Sequence, residues 1–231
     1  MPLDLLVVAV EVVVVAAINH HLCLVLYQCA ASAAHSFSGH DFSRFDRNIM
    51  NTWEDYNKKT KGEPRPMLVA VIKRILIDNP KALDLGCGAG NETRFLKQKG
   101  FTVVSVDANP GVRDFVPDAI ISKFEDYEFP MQEFDLVVAM YSLPFCAPDK
   151  IDGVMMRSIT SMKHGATFIG QFFGLEDSWS GDKNMNFKTR AEIEKYFVGF
   201  ELEINEKKYS KETAMGEPHF WHVFHVIAKK I

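Results

Sequence analysis

From residue 81 onward the apolar positions come in short runs separated by turns and by segments of helical spacing. Runs at 81–85 and 103–106 flank residues 91–99, a helix-compatible stretch that closes at Gly100, a residue suited to a helix C-terminus. Further runs at 119–122, 134–140 and 166–173 read as strands, and 134–140 is almost unbroken, as a central parallel strand covered on both faces requires. Between them, residues 150–162 predict a helix with Asp149 at its N-cap. Thr189 and Glu192 have capping-box spacing ahead of another short helix. Upstream, residues 67–77 (M-L-V-A-V-I-K-R-I-L-I) have the spacing of a helix packed on a sheet. After the last helix, residues 200–204 alternate as a half-buried strand and 219–230 repeat a strand pattern. Strands alternating with helices predict a doubly wound α/β sheet, and two consecutive strands at the end predict an antiparallel hairpin.

The turn after the first run is the most informative stretch: K-A-L-D-L-G-C-G-A-G-N-E-T, followed by V-V-S-V-D-A-N-P. Glycines there let the backbone turn sharply and let a ligand lie against the peptide planes. The free N–H groups at the start of the following helix favour a negative group. Asp107 falls 21 residues after Gly86, about where a doubly wound fold offers a carboxylate to a ribose diol. A dinucleotide site requires G-x-G-x-x-G, whereas the spacing here is G-x-G-x-G with Asp84 two residues upstream.

With that aspartate, the stretch resembles motif I of the class I S-adenosylmethionine (SAM) methyltransferases. The resemblance implies a Rossmann-like, doubly wound, seven-stranded mixed sheet ending in an antiparallel hairpin. It implies SAM as cofactor and S-adenosylhomocysteine as product, with Asp84, Gly86, Cys87, Gly88 and Gly90 at the methionine end. Asp107 would take the ribose hydroxyls, with Ala108 beside it. Phe124-Glu125-Asp126 follows the third strand, where this fold contacts adenine: Glu125 is preferred over Asp126 for the amino group, with the apolar Phe124 beside it to cover the ring, and Met140, at the end of the fourth strand, is a further cofactor-binding candidate. Trp53, Tyr56 and Arg65 suit a lid with Arg65 facing the cofactor carboxylate, and equally suit a solvated helix with two packed aromatics. W-E-D-Y-N-K-K-T-K-G-E-P-R-P, Y-S-L-P-F-C-A-P, G-Q-F-F-G-L-E-D-S-W and H-F-W-H-V-F-H-V-I-A-K-K extend the likeness over residues 47–230, towards a bacterial branch similar to TehB-type (tellurite-resistance) methyltransferases.

Methyl transfer from a sulfonium needs alignment and exclusion of water more than a catalytic dyad. Where an acceptor requires deprotonation, Tyr141 is the candidate base, with His222 and His219 behind it. His219, His222 and His225 do not converge on a metal, because strand alternation puts His222 on the opposite face from the other two, and no metal is expected. The acceptor expected is a small molecule or small oxyanion. A non-catalytic SAM-binding protein is the alternative, and an NAD-dependent oxidoreductase is disfavoured by the glycine spacing.

A net charge of −4 with no large basic block argues against a general nucleic-acid binder. The four cysteines have no paired spacing, which points to a reduced, cytoplasmic setting. Residues 1–40 differ from the rest: no Lys or Arg precedes Arg44, and 12–34 carry no formal charge, a length able to cross a bilayer. Asn19, His20, His21 and Gln28 interrupt that stretch, so a membrane anchor, a packed extension and a non-native leader all stand as readings. The catalytic domain is expected to occupy residues 41–231, with membrane contact only through 1–40.

Overall fold

The computed structural model describes residues 53–231; the apolar segment 1–40 and the boundary at residue 41 lie outside them. The described chain runs α1 (53–60), α2 (Pro66–Ile72), β1 (Lys81–Leu85), α3 (Asn91–Gln98), β2 (Thr102–Asp107), β3 (Ile120–Ile121) and β4 (Phe134–Ala139). It continues through α4 (Ile151–Thr160), β5 (Met162–Phe173), α5 (Arg190–Tyr196), β6 (Phe200–Ser210) and β7 (Phe220–Lys230).

The strands form one seven-stranded sheet in the order β3-β2-β1-β4-β5-β7-β6. The first five are parallel, and β7 runs antiparallel between β5 and β6, so the terminal hairpin completes the sheet. All six residues of β4 are buried, which explains its unbroken apolar run. One face packs Leu83, Leu85, Val137, Phe168 and Phe172 against α4 and α5. The other packs Ala82, Leu136 and Val138 beneath α2 and α3, through Leu68, Val71 and Leu96. Strand order reverses between β1 and β4, and ligands in such sheets bind beyond the strand ends at that switch.

α3 ends as its Gly100 implies. Gly100 adopts φ +86°, its N–H donates to Lys97 O at 3.1 Å, and Phe101 N–H donates to Leu96 O at 3.0 Å, the paired bonds of a Schellman motif. The capping box at Thr189 and Glu192 is present, each side chain accepting from the other's backbone N–H.

Elsewhere the boundaries differ from the sequence reading. α2 stops at Ile72, and Leu76 and Ile77 are exposed, because three consecutive apolar residues (75–77) cannot share one helical face. β3 shrinks to two residues at the sheet edge, while β5 starts at Met162 and β6 extends to Ser210, through pairing with longer neighbours. Asp149 does not cap α4; the N–H groups of Lys150 and Ile151 both donate to Ala147 O, and the Asp149 carboxylate pairs with Lys150 Nζ at 2.8 Å instead.

Candidate active site

The loop between β1 and α3 is built on three left-handed glycines. Gly86 and Cys87 both donate to Val106 O, at 2.8 and 3.3 Å, anchoring the loop to the end of β2. Gly86 has φ +79°, and a Cβ there would lie 2.3 Å from Ser142 Cβ, so the loop and the turn after β4 touch backbone to side chain. Gly88 N–H donates to Asp107 Oδ2 at 2.9 Å, and Asn109 N–H donates to Asp107 Oδ1 at 2.9 Å. The carboxylate at the tip of β2 is thus aimed at the glycine loop, and burial pushes its pKa up against those stabilising donors.

A cleft of about 670 Å³ opens over this loop, within the range of small-molecule and cofactor sites. Arg65, Gly86, Cys87, Gly88, Asp107, Ala108, Phe124, Glu125, Met140 and Tyr141 all lie on its wall. Glu125 lines the cleft and is half-buried, whereas Asp126 is exposed and does not. The Cys87 thiol is raised by burial and by Asp84, a packed filler rather than a thiolate.

Two residues expected at the cofactor stand behind the wall instead. Asp84 is buried under the loop, where Thr93 Oγ1 donates to Asp84 Oδ2 at 2.6 Å and in turn meets Ser105 Oγ at 2.8 Å. It ties α3 to the sheet, and desolvation, helped by the nearby Glu92, raises its pKa to about 7. Gly90 is the N-cap of α3 with φ +69°, and a Cβ there would point at Val116, 2.4 Å away. It shapes the turn and does not line the cleft.

The sequence reading missed the clamp that holds the wall opposite the sheet. Asn91 Nδ2 donates to Thr60 O at 2.8 Å, and Gly62 N–H donates to Asn91 Oδ1 at 2.9 Å. Glu92 Oε1 accepts the Arg65 N–H at 3.0 Å. The first two residues of α3 therefore fasten residues 60–65 over the cleft, and Asn57, buried from α1, lies against Gly88. The polar pair directly after the glycines was the available signal.

A second chamber of about 460 Å³ adjoins the cleft, and Trp53, Tyr56, Thr60, Arg65, Tyr141 and Phe145 line both. Trp53 packs edge-on against Tyr56 and Phe145, and the Arg65 guanidinium lies over the Tyr141 ring at 4.9 Å. Tyr141 has φ +58°, a strained conformation held by its N–H donating to the buried Gln171 side chain at 3.0 Å. Burial, with the nearby Tyr209, raises the Tyr141 hydroxyl well above an ordinary phenol, so it stays protonated and is a poor base.

His222 is not brought to either chamber. Its Nδ1 accepts Glu176 N–H at 3.1 Å, leaving Nε2 to donate to Glu206 Oε1 at 3.0 Å, and its ring packs on Gly174, where a Cβ would clash at 2.3 Å. Both ring nitrogens are consumed in joining the loop after β5 to the hairpin, so the expected catalytic role has no geometry to support it. His219 is likewise buried against Asp177, 2.8 Å from Nε2 to Oδ1. Among the described residues no group of three or more His, Cys, Asp or Glu is arranged to hold a metal ion.

A glycine loop donating to a carboxylate at the next strand tip, at the switch point of a sheet of this order, is the arrangement that the class I methyltransferase resemblance implies, with SAM as the cofactor. Residues 83–169 match the family model of a methyltransferase domain. The chain is 35% identical over 113 residues to an uncharacterized methyltransferase of Synechocystis, covering 46% of this chain and 53% of that protein, about half its length. Among solved structures it is similar to TehB from Haemophilus influenzae (TM-score 0.63, 18% identity, 78% of this chain and 67% of that one). It is also similar to phosphoethanolamine N-methyltransferase 2 of Haemonchus contortus in complex with SAM (TM-score 0.55, 15% identity, 78% and 56%). At these identities the two likenesses are of fold, and that fold is TehB-like.

Proposed function

We propose that the chain transfers the methyl group of SAM to a small-molecule acceptor seated beside Tyr141. The observation that carries this is the Gly86–Gly88 loop locked to Asp107 beneath an open cleft of about 670 Å³. The residues fit the group. Asp107 offers a carboxylate to a diol, Gly88 leaves room beside Asn57 that a side chain would fill, and Glu125 lies where an exocyclic amine can donate to it. Phe124 and Met140 supply apolar contact for a flat ring. Arg65, whose backbone is fixed by Glu92, presents a cation to a carboxylate.

When bound, SAM supplies an already activated methyl group. The chain's own work is to hold acceptor and donor in line and keep water away, which concentrates the reactants and lowers the barrier without a protein base. Tyr141 contributes by orienting the acceptor through a hydrogen bond, not by removing its proton. A cytoplasmic setting is part of the reading, supported by buried unpaired Cys87 and Cys146. Among the described residues no helix is long and apolar enough to cross a membrane.

Calorimetric titration of the full chain with SAM and S-adenosylhomocysteine, with Asp107→Ala alongside and NADH as control, tests the proposal. Micromolar binding of both SAM ligands, weakened by Asp107→Ala, is expected. A folded protein that binds neither, or that binds NADH instead, would overturn it.

A further inference from the structure

The second chamber indicates the acceptor's chemistry. Its inner walls are Trp53, Tyr56, Tyr141, Phe173, Trp179 and Trp221, and the chain's three tryptophans all line it. Phe173, Trp179 and Trp221 form a triangle with ring centroids 5.6–5.9 Å apart; Phe173 is buried beneath, and the half-buried Trp179 and Trp221 carry the surface that another ring can meet. The triangle is rigid. Buried Asp177 accepts Trp179 N–H at 3.1 Å and His222 N–H at 3.0 Å and pairs with His219, whose ring lies 4.4 Å from Trp179. Trp221 Nε1 donates to Lys211 O at 3.0 Å, pinning the rim of the chamber.

We propose, resting on the methyltransferase reading above, that this chamber binds a planar aromatic acceptor carrying no positive charge. Size and polarity exclude a small oxyanion as the fitting occupant. A water takes up roughly 30 Å³, so an ion of a few heavy atoms leaves most of about 460 Å³ empty, and it would meet Glu212 and Glu217 as well as Arg65 and Lys211 on the wall. Aromatic walls also attract cations, but Arg65 and Lys211 on this wall offset Glu212 and Glu217, so no net negative charge draws a cation in. An aromatic ring satisfies both constraints. It stacks on the existing faces, and its substituent reaches the shared wall at Tyr141 and Arg65, where the cleft begins. On transfer, a lone pair of that substituent's heteroatom forms the bond to the methyl carbon as the bond to the sulfonium sulfur breaks. The sulfur keeps the bonding pair and becomes a neutral thioether. Any proton on the heteroatom leaves to water.

The full chain, saturated with S-adenosylhomocysteine, is titrated by calorimetry and tryptophan emission with 2-naphthol, decahydro-2-naphthol, 2-naphthyltrimethylammonium and selenite. The expected result is 2-naphthol binding at least tenfold tighter than its saturated analogue, about 1.4 kcal/mol, with a change in tryptophan emission. Trp179→Leu should weaken 2-naphthol at least tenfold and leave S-adenosylhomocysteine affinity unchanged, since Trp179 lines only the second chamber. Tyr209→Ala, on the same chamber alone, gives the same comparison should Trp179→Leu fail to fold. Equal affinity for the saturated analogue, preference for the cation or for selenite, or displacement of S-adenosylhomocysteine by 2-naphthol would overturn the proposal. Absence of S-adenosylhomocysteine binding with retained 2-naphthol binding would instead remove the cofactor reading and leave the aromatic chamber standing.

Discussion

The Gly88 amide donates to Asp107 Oδ2 across 2.9 Å, joining the loop after β1 to the tip of β2. Two motif elements separated by 19 residues thereby form one surface, held by the protein's own hydrogen bond. Such preorganisation spares a ligand the cost of ordering the loop.

Replacing Asp107 should therefore act twice. Asp107→Ala removes the group proposed for the ribose diol and leaves the Gly88 and Asn109 N–H groups without their acceptor. SAM affinity is expected to fall by roughly 10- to 100-fold, and stability by about 1–3 kcal/mol for the unpaired donors. Calorimetry reads the first and denaturant titration the second.

Asp84 should make the unliganded domain sensitive to pH. Its folded pKa of about 7 lies above its ordinary 3.8, so the folded state binds the proton more tightly than the unfolded state. Its contribution is favourable at low pH and is lost as pH rises through about 7, where a buried charge must be carried. Asp84→Asn should flatten the fall in Tm between about pH 4 and pH 7, measured by thermal melts. Glu92→Gln should move the Asp84 midpoint down, since Glu92 is one of the groups raising it.

Gly86 and Gly100 share a left-handed backbone but not their surroundings. A Cβ on Gly86 meets Ser142 Cβ at 2.3 Å, whereas one on Gly100 meets nothing within 4 Å. Gly100→Ala should cost about 1–2 kcal/mol from backbone strain alone. Gly86→Ala should cost clearly more and abolish SAM binding, because the turn after β4 has to move. Parallel chemical denaturation and calorimetry on the two variants make the comparison.

Asn91→Ala should loosen residues 60–65 without touching the sheet. The expected result is a several-fold loss in SAM affinity, with faster hydrogen exchange at Gly62 and Arg65 and unchanged exchange in β1 and β4.

Much of this architecture was legible in the chain order. A strand is short, apolar and bounded by turns, so β1, β2, β4 and β7 announce themselves, and the glycines at 86, 88, 90 and 100 mark left-handed positions that side chains rarely adopt. The cleft's position followed as well, because the motif and the sheet's switch point are both consequences of strand order.

Other features depended on neighbours distant in sequence. Asp84 and Asp107 are both acids at strand ends, yet Thr93 and Ser105 turn one inward while Gly88 holds the other at the cleft. His222 looks like a candidate base on an aromatic strand, but Glu176, Glu206 and Gly174 claim its ring. Trp53, Trp179 and Trp221, more than a hundred residues apart at their extremes, become one chamber only when α1, the loop after β5 and the hairpin meet. By itself the sequence determined the local backbone, since periodicity and glycine sterics act over a few residues. The tertiary structure decided which polar groups face a ligand, because burial and hydrogen-bond partners are set by contacts between distant segments.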